Sequence, residues 1–373
     1  MLSLLFVQPR VIEDCVYADV SFPLAWAPAS NILIGVGLPN RDKENACFIN
    51  AVLQVLVRCP VYASMLEHHA SVHNGRGCFP CDLGQAARQA RLGQAMACER
   101  MVLRVRAGEF GDAFRKRPDP KAPNRFVFPQ CDAAELLFDE PFEGKHSFLR
   151  ALRSWEREIL GQEMPQDEEG RESDVSARRV FGIVMRRRSR CDGCHYVSDR
   201  LDTINFLKLD VVRSAPGDQR VDLIKLLEQH LRAERTRCKR VQPCASHAST
   251  KLFIEKEPLV LWLQLSRGSR AGHVNSKDSR RVVFPETLGC MRSGPYRLWA
   301  MISHLGSSGV SGHYISHCWH GGDRYAIYDD GVVRGTTWPN LITEAAQRQA
   351  YVLAYVRVGF WGDAAADGSE QTP

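Results

Sequence analysis

The sequence predicts an α+β fold with helices gathered in its first half and strands in its second. Three observations carry that expectation. Cys47, Ala51, Val52, Val55 and Leu56 recur at helical spacing. Residues 82–116 are rich in Ala, Arg, Gln and Leu, all good helix formers. From Phe181 onward the apolar residues fall instead into short runs at 181–185, 203–212, 258–265 and 296–302, rich in Val, Ile, Leu, Phe and Trp. Helices first and strands later is the layout of a segregated α+β domain.

Residues 1–36 mix apolar residues with Pro23, Pro28 and Gly35 and show no period, so they read as an N-terminal extension. The opening Met1-Leu-Ser-Leu-Leu-Phe-Val has no basic residue before it and no small-residue cleavage site, which favours a strand over a signal peptide. The helix that starts at Cys47 ends before Pro60, because proline lacks the N–H that a helix interior needs. A cysteine at a helix N-terminus faces unsatisfied backbone N–H groups and the positive end of the dipole, and both favour the thiolate. A second helix is expected over 131–138 and another over 221–235, between strands. Residues 161–179 read as a charged loop and 359–373 as a flexible tail.

With 373 residues, 44% of them hydrophobic, the chain can bury the core of one large or two ordinary domains. Its 49 basic and 43 acidic residues give a net charge of +6, too balanced to point to nucleic acid or to a membrane surface. Basic residues cluster over 178–190, including Met185-Arg-Arg-Arg-Ser-Arg190. That run reads as a solvated strand edge, with a patch for an acidic partner or a nuclear address as the alternative. No apolar run approaches the roughly 20 residues a membrane helix needs, and intracellular residence, in cytoplasm or nucleus, is expected. Thirteen cysteines, an odd number scattered through a long chain, suit catalysis and metal binding better than a disulfide framework.

Thiol hydrolysis needs a thiolate, a base to manage its proton and a third group to orient that base. A lone cysteine is usually a buried core residue, but the surroundings of Cys47 are specific. Gly37, Leu38, Asn40, Asn45, Cys47, Asn50, Leu53 and Gln54 match G-L-x-N-x-G-N-T-C-x-x-N-x-x-L-Q, so the segment resembles the cysteine box of the ubiquitin-specific proteases. Downstream, Gly312-His-Tyr314 and Tyr325-Ala-Ile-Tyr-Asp-Asp-Gly-Val-Val333 resemble that family's histidine box, and Tyr351-Val-Leu-Ala-Tyr355 its closing strand. The resemblance implies Cys47 as nucleophile, His313 as general base and Asp329 as the carboxylate that fixes the imidazole tautomer, with Asp330 in support. Asn40 lies seven residues before Cys47 where the family pattern has five. Asn40 can still offer its amide to an oxyanion through a bulged loop, whereas Asp42, at the family's spacing, has only acceptor oxygens to offer. Gln130-Cys-Asp-Ala-Ala-Glu-Leu-Leu137 resembles a further family segment. By that resemblance Gln130, Asp132, Gly312 and Tyr314 are substrate-binding, Asp132 pairing with arginines of an extended ubiquitin tail. The alternative for Asp132 is an aspartate favoured by a helix N-terminus.

Cys191-Asp-Gly-Cys194 is a knuckle whose glycine permits the turn that aims two thiolates at one ion. Cys238 and Cys244 follow with five residues between them, wider than usual, and His247 is a substitute ligand. The family places two such pairs at the tips of its finger strands, which implies one structural zinc at Cys191, Cys194, Cys238 and Cys244 and no cofactor for catalysis. Cys78 and Cys81, with His73 and Cys98 nearby, have the spacing of another zinc site, but nothing in the family pattern asks for one, and they are expected to be unpaired structural cysteines.

The resemblance spans 37–358 and implies a papain-like catalytic domain: thumb at about 37–160, fingers at about 180–255, palm at about 256–358. It implies a monomeric deubiquitinating thiol hydrolase that cleaves after the C-terminal glycine of ubiquitin, with ubiquitin or ubiquitinated proteins as partners. Two other readings stand beside it. The altered loop before Cys47 suggests a ubiquitin-binding scaffold without turnover; the cysteine pairs and basic run suggest a zinc-knuckle nucleic-acid module, which leaves the histidine box unexplained.

Overall fold

The structure, a computed structural model, describes residues 35–40, 45–59, 62, 63, 66, 69, 70, 78–96, 98–119, 122–138, 147–149, 182–211, 219–238, 240, 244–268, 277–309 and 311–358. Residues 1–34 of the expected extension, the charged loop over 161–179, the tail over 359–373, Asp42 and His73 lie outside the described residues.

Helices do come first. Helices α1 (Cys47–Arg58), α2 (Phe79–Arg91), α3 (Glu99–Arg106) and α4 (Ala133–Leu137) precede the large sheets, with a small antiparallel hairpin of β1 (Arg117–Asp119) and β2 (Ala122–Val127) between α3 and α4. Every residue of α1 is buried, as its nearly all-round apolar surface requires. Its three long polar side chains, Asn50, Gln54 and Arg58, are four apart and so share one face. Each finds a partner inside: Asn50 donates to the Leu38 carbonyl and to Asp330, Gln54 to the Val36 carbonyl, and Arg58 to the Tyr328 hydroxyl at 2.7 Å. The helix ends at Arg58, before Pro60, as expected.

Strands β3 (Ile183–Cys191), β4 (Val197–Ile204), β7 (Glu234–Arg237) and β8 (His247–Lys256) form an antiparallel sheet in the order β4-β3-β8-β7. The basic run lies on β3 and is answered from its neighbours: Arg186 pairs with Asp199 and Glu255, Arg187 with Asp202 and Arg188 with Asp199. The expected strand over 203–212 is two strands. Its first residues end β4, and β5 (Leu207–Asp210) joins the other sheet after Asn205 and Phe206. The expected helix over 221–235 is shorter, because Asp222 caps α5 (Leu223–Leu231) through the Ile224 N–H and the chain turns extended at Arg232 to enter β7.

The larger sheet has eight strands. It runs β15 (Val332–Thr337), β14 (Arg324–Asp329), β13 (His313–Trp319), β12 (Tyr296–Leu305), β16 (Ala350–Arg357), β9 (Val260–Ser266) and β5, with β11 (Thr287–Leu288) also on β12. Strand β6 (Arg220–Asp222) pairs in parallel with β10 (Arg281–Val283), and α6 (Trp338–Leu341) and α7 (Glu344–Gln349) lead into β16. Helix α1 packs across β12, β13 and β14, and one continuous apolar core joins the two layers, including Phe48, Leu53, Trp262, Tyr296 and Tyr355. The indole of Trp262 donates to the Tyr62 hydroxyl at 3.0 Å, a polar tie within that core. Among the described residues no helix is long and apolar enough to cross a membrane.

Candidate active site

Packing α1 against β13 and β14 brings the far ends of the sequence together. Cys47 is the first helical residue of α1 and is buried; His313 opens β13; Asp329 closes β14. The Nε2 of His313 lies 2.7 Å from Asp329 Oδ1, and the imidazole also hydrogen-bonds the Cys47 side chain, which leaves Nδ1 as the nitrogen toward sulfur. The His313 pKa is raised to about 9, first by its hydrogen bond with Cys47 and then by Asp329, against a lowering by burial. The charged imidazolium is therefore the favoured form at neutral pH. Arg334 reaches the other oxygen of Asp329 at 3.4 Å.

Asp330 holds the loop before Cys47 instead of the imidazole, from which its nearer carboxylate oxygen stands 4.0 Å away. It accepts from Asn40 Nδ2 at 2.9 Å and Asn50 Nδ2 at 2.8 Å, and its carbonyl accepts from the Leu38 N–H at 2.8 Å. Its backbone is left-handed, φ +49°, a conformation aspartate tolerates. Gly37 lies so close that a Cβ there would sit 2.4 Å from the Asp330 carbonyl oxygen. Asn40 closes the arrangement, since its Oδ1 accepts from the Ala46 N–H at 3.0 Å while its amide donates to Asp330. Asn45, also left-handed at φ +47°, donates to the Phe128 carbonyl and fixes the approach to Cys47.

A groove of about 290 Å³ leads to the sulfur, lined by Cys47, Gln130, Asp132, His304, Gly312 and Tyr314. A second, of about 450 Å³, shares Asp132, His304 and Tyr314 with it and extends toward Phe206, Lys277 and Tyr351. Gly312 forms a wall by absence: a Cβ there would meet the Leu305 carbonyl oxygen at 2.2 Å and His304 Nε2 at 2.3 Å. Gln130 Nε2 donates to the Gly312 carbonyl at 3.3 Å, and Tyr314 stacks on His304 with ring centres 4.5 Å apart. Asp132 caps α4 through the Ala134 N–H and accepts from the Tyr351 hydroxyl at 2.5 Å, with burial raising its pKa. The helix-cap alternative for Asp132 thus describes its present partners. The sequence does not mark His304 or Tyr351 as site residues; the pairing of His304 with Tyr314 across β12 and β13, and the bond from Tyr351 to Asp132, reveal them.

The comparisons with known proteins bear on this arrangement. The family model for ubiquitin carboxyl-terminal hydrolase (UCH) matches residues 36–355. The chain belongs to the ubiquitin carboxyl-terminal hydrolase family. Relatives include a probable ubiquitin carboxyl-terminal hydrolase 16 of Schizosaccharomyces pombe, 26% identical over 84% of this chain and 65% of that protein. Another is a human ubiquitin carboxyl-terminal hydrolase 17-like protein 15, 26% identical over 88% of this chain and 54% of that protein. The chain thus spans less than two thirds of the length of either. Among solved structures, a chain of the yeast SAGA deubiquitinating module superposes with a TM-score of 0.63 at 21% identity, covering 87% of this chain and 68% of that one. The Ubp8/Sgf11/Sus1/Sgf73 module bound to monoubiquitin gives a TM-score of 0.63 at 21% identity, over 87% and 69%. At that identity the likeness establishes the fold, the papain-like α+β arrangement expected from the resemblance.

This member of the hydrolase family also gathers Cys191, Cys194, Cys238 and Cys244 at the tip of the four-stranded sheet, all four sulfurs within 4.8 Å of one another. Cys191 and Cys244 are 3.3 Å apart, Cys194 and Cys238 3.7 Å. A tetrahedral zinc with Zn–S near 2.3 Å requires sulfurs about 3.8 Å apart, so the four thiols fit the ion. Within the group the Cys244 pKa is pushed down to about 6, chiefly by the Ser246 N–H, while burial and the neighbouring thiols push Cys194 up to about 11. The widened spacing of the second pair does not prevent convergence. His247 is not in the group; it is exposed and begins β8 opposite Arg237. Cys78 is less isolated than expected, since its sulfur lies 3.1 Å from His69 Nε2.

Proposed function

We propose that the protein is a cysteine-type deubiquitinase that hydrolyses the isopeptide or peptide bond after the C-terminal glycine of ubiquitin. One observation carries the reading: His313 stands between the Cys47 side chain and Asp329 at the end of a groove walled by Gly312, where no larger residue fits.

In this reading the Cys47 thiolate attacks the carbonyl carbon of the ubiquitin C-terminal glycine. His313 gives its proton to the departing amine, and the thioester on Cys47 is then hydrolysed by a water that His313 deprotonates, releasing ubiquitin with a free carboxylate. Asp329 holds the imidazole with Nδ1 toward sulfur and supports its charge. The backbone N–H of Cys47, at a helix N-terminus where such groups lack helical acceptors, stabilises the oxyanion together with the second hydrogen of the Asn40 amide. Gly312 and its neighbour His304 leave width for a Gly-Gly tail, and Gln130, Asp132 and Tyr314 line its path. The four-cysteine group holds a structural zinc that ties the finger strands, on which the ubiquitin body rests, while the helical layer serves as thumb and the large sheet as palm.

The test uses ubiquitin carrying a C-terminal thiol-reactive electrophile, with mass spectrometry of the product. A single adduct on Cys47, absent from Cys47→Ala, is the expected result. Tight ubiquitin binding without an adduct, and without release of a fluorogenic C-terminal amide, would leave the scaffold reading instead.

A further inference from the structure

We infer that the helical layer carries a second metal site, a zinc position held by His69, Cys78 and Cys81. Nε2 of His69 and the sulfurs of Cys78 and Cys81 all lie within 4.8 Å of one another, with His69 Nε2 and Cys78 Sγ 3.1 Å apart. Around a tetrahedral zinc, with Zn–N near 2.1 Å and Zn–S near 2.3 Å, the nitrogen and sulfur ligands stand about 3.6 Å apart. Small outward shifts therefore turn the present cluster into a ligand set. An imidazole with two thiolates selects zinc over the oxygen-seeking magnesium and calcium.

Local structure makes the cluster more than a chance meeting. Cys78 is the N-cap of α2 and Cys81 lies in its first turn. Three residues apart on a helix, the two thiols share a face. Cys78 makes no capping bond of its own, unlike Asp132, Asp222 and Thr343, whose side chains cap α4, α5 and α7. Its sulfur is turned across to His69.

His69 arrives from the helical segment that includes residues 62, 63, 66, 69 and 70. Gly84 of α2 sets the distance between the two: a Cβ there would lie 2.2 Å from the Leu66 carbonyl oxygen and 3.1 Å from the Ala70 Cβ. The backbones touch at a point where only glycine fits, and that contact delivers His69 to the start of α2. His69 is buried while both cysteines are half-buried, so the ligands are held on the protein side and solvent reaches the open side. Helix α2 also packs against α1. An ion here would brace the layer that supports the helix carrying Cys47.

Metal analysis of the full chain, purified without chelator, tests the site. Two zinc equivalents are expected in the wild type, one in Cys78→Ser/Cys81→Ser, and one in Cys191→Ser/Cys194→Ser. Should the first variant fail to fold, alkylation of the wild type decides. Half-exposed Cys78 and Cys81 should resist iodoacetamide in the zinc-loaded chain and be labelled several-fold faster after chelation, as read by peptide mass spectrometry. One zinc equivalent in the wild type, with labelling at Cys78 and Cys81 indifferent to chelator, would overturn the inference and leave a histidine–thiol hydrogen bond.

Discussion

At the site, a cysteine 266 positions earlier in the sequence sets the charge state of His313. The first contribution to the raised His313 pKa, at about 9, is Cys47. Replacing Cys47 with Ala should therefore abolish turnover and also lower the His313 pKa in an NMR titration; an unchanged value would mean that the sulfur does not face the ring. The sign for stability follows. His313 has a folded pKa above its unfolded value near 6.5, so its stabilisation is complete below pH 6.5 and lost as pH rises through about 9. Asn40 is a second case. Its carbonyl oxygen and one amide hydrogen bridge Ala46 and Asp330, which leaves one hydrogen for an oxyanion. Asn40→Ala should cut kcat by roughly a hundred- to a thousand-fold, the usual loss for one oxyanion donor. A loss of thermal stability with kcat intact would make Asn40 a loop brace alone. Cys47, His313 and Asp329 were legible in the sequence because each sits in a motif dense with unusual residues. His304 was not, since a lone histidine in the apolar run of β12 carries no local mark of the Tyr314 ring it meets across the sheet.

Helix α1 was legible as an element from its apolar spacing, yet the polar face of the same helix does the positioning. Asn50, Gln54 and Arg58 run along it and bind, in turn, the loop before Cys47, the Val36 carbonyl and the strand that ends in Asp329. Arg58 sits with its guanidinium carbon 4.1 Å from the centre of the Tyr328 ring and donates to that tyrosine's hydroxyl, one residue before Asp329. Arg58→Met keeps the apolar volume and removes both contacts. It should cost roughly 2–4 kcal/mol in urea unfolding, given a charged hydrogen bond and a buried cation–π contact. It should also lower kcat more than it changes KM, because Asp329 loses its anchor. Equal stability and activity in the variant would show that α1 is seated by its apolar face alone. On β13 the same strand holds two histidines at opposite extremes: His313 is raised to about 9 by its partners, while burial lowers His317 to about 4. Spacing alone could not separate them, because the difference lies in what each faces: Cys47 on α1 and Asp329 on β14 for His313, the buried interior for His317. Similarly, the run over 203–212 reads as one strand until tertiary contact divides it between two sheets.

Across the whole molecule the two sheets are held by different means. The eight-stranded sheet shares a continuous apolar core with the helical layer, which burial alone can stabilise. The four-stranded sheet reaches beyond that core. At its tip the apolar cluster consists of Cys191, Cys238 and Ala248, with Cys194 and Cys244 against it, and β4 is exposed along most of its length. The arginine pairs along β3 are solvent-exposed and worth little each, about 0–1 kcal/mol. The tip therefore depends on the four thiols, whose convergence was legible because the first Cys-x-x-Cys pair announces a knuckle and the second pair follows at a distance that strands can span. Free energy of zinc binding becomes folding free energy where no other core exists. Cys191→Ser should accordingly remove one zinc equivalent and raise amide hydrogen exchange over 188–200 and 244–250, while α1 and β12 to β16 stay protected. Unaltered exchange at the tip, in a variant that has lost its metal, would mean that packed thiols hold the sheet without an ion.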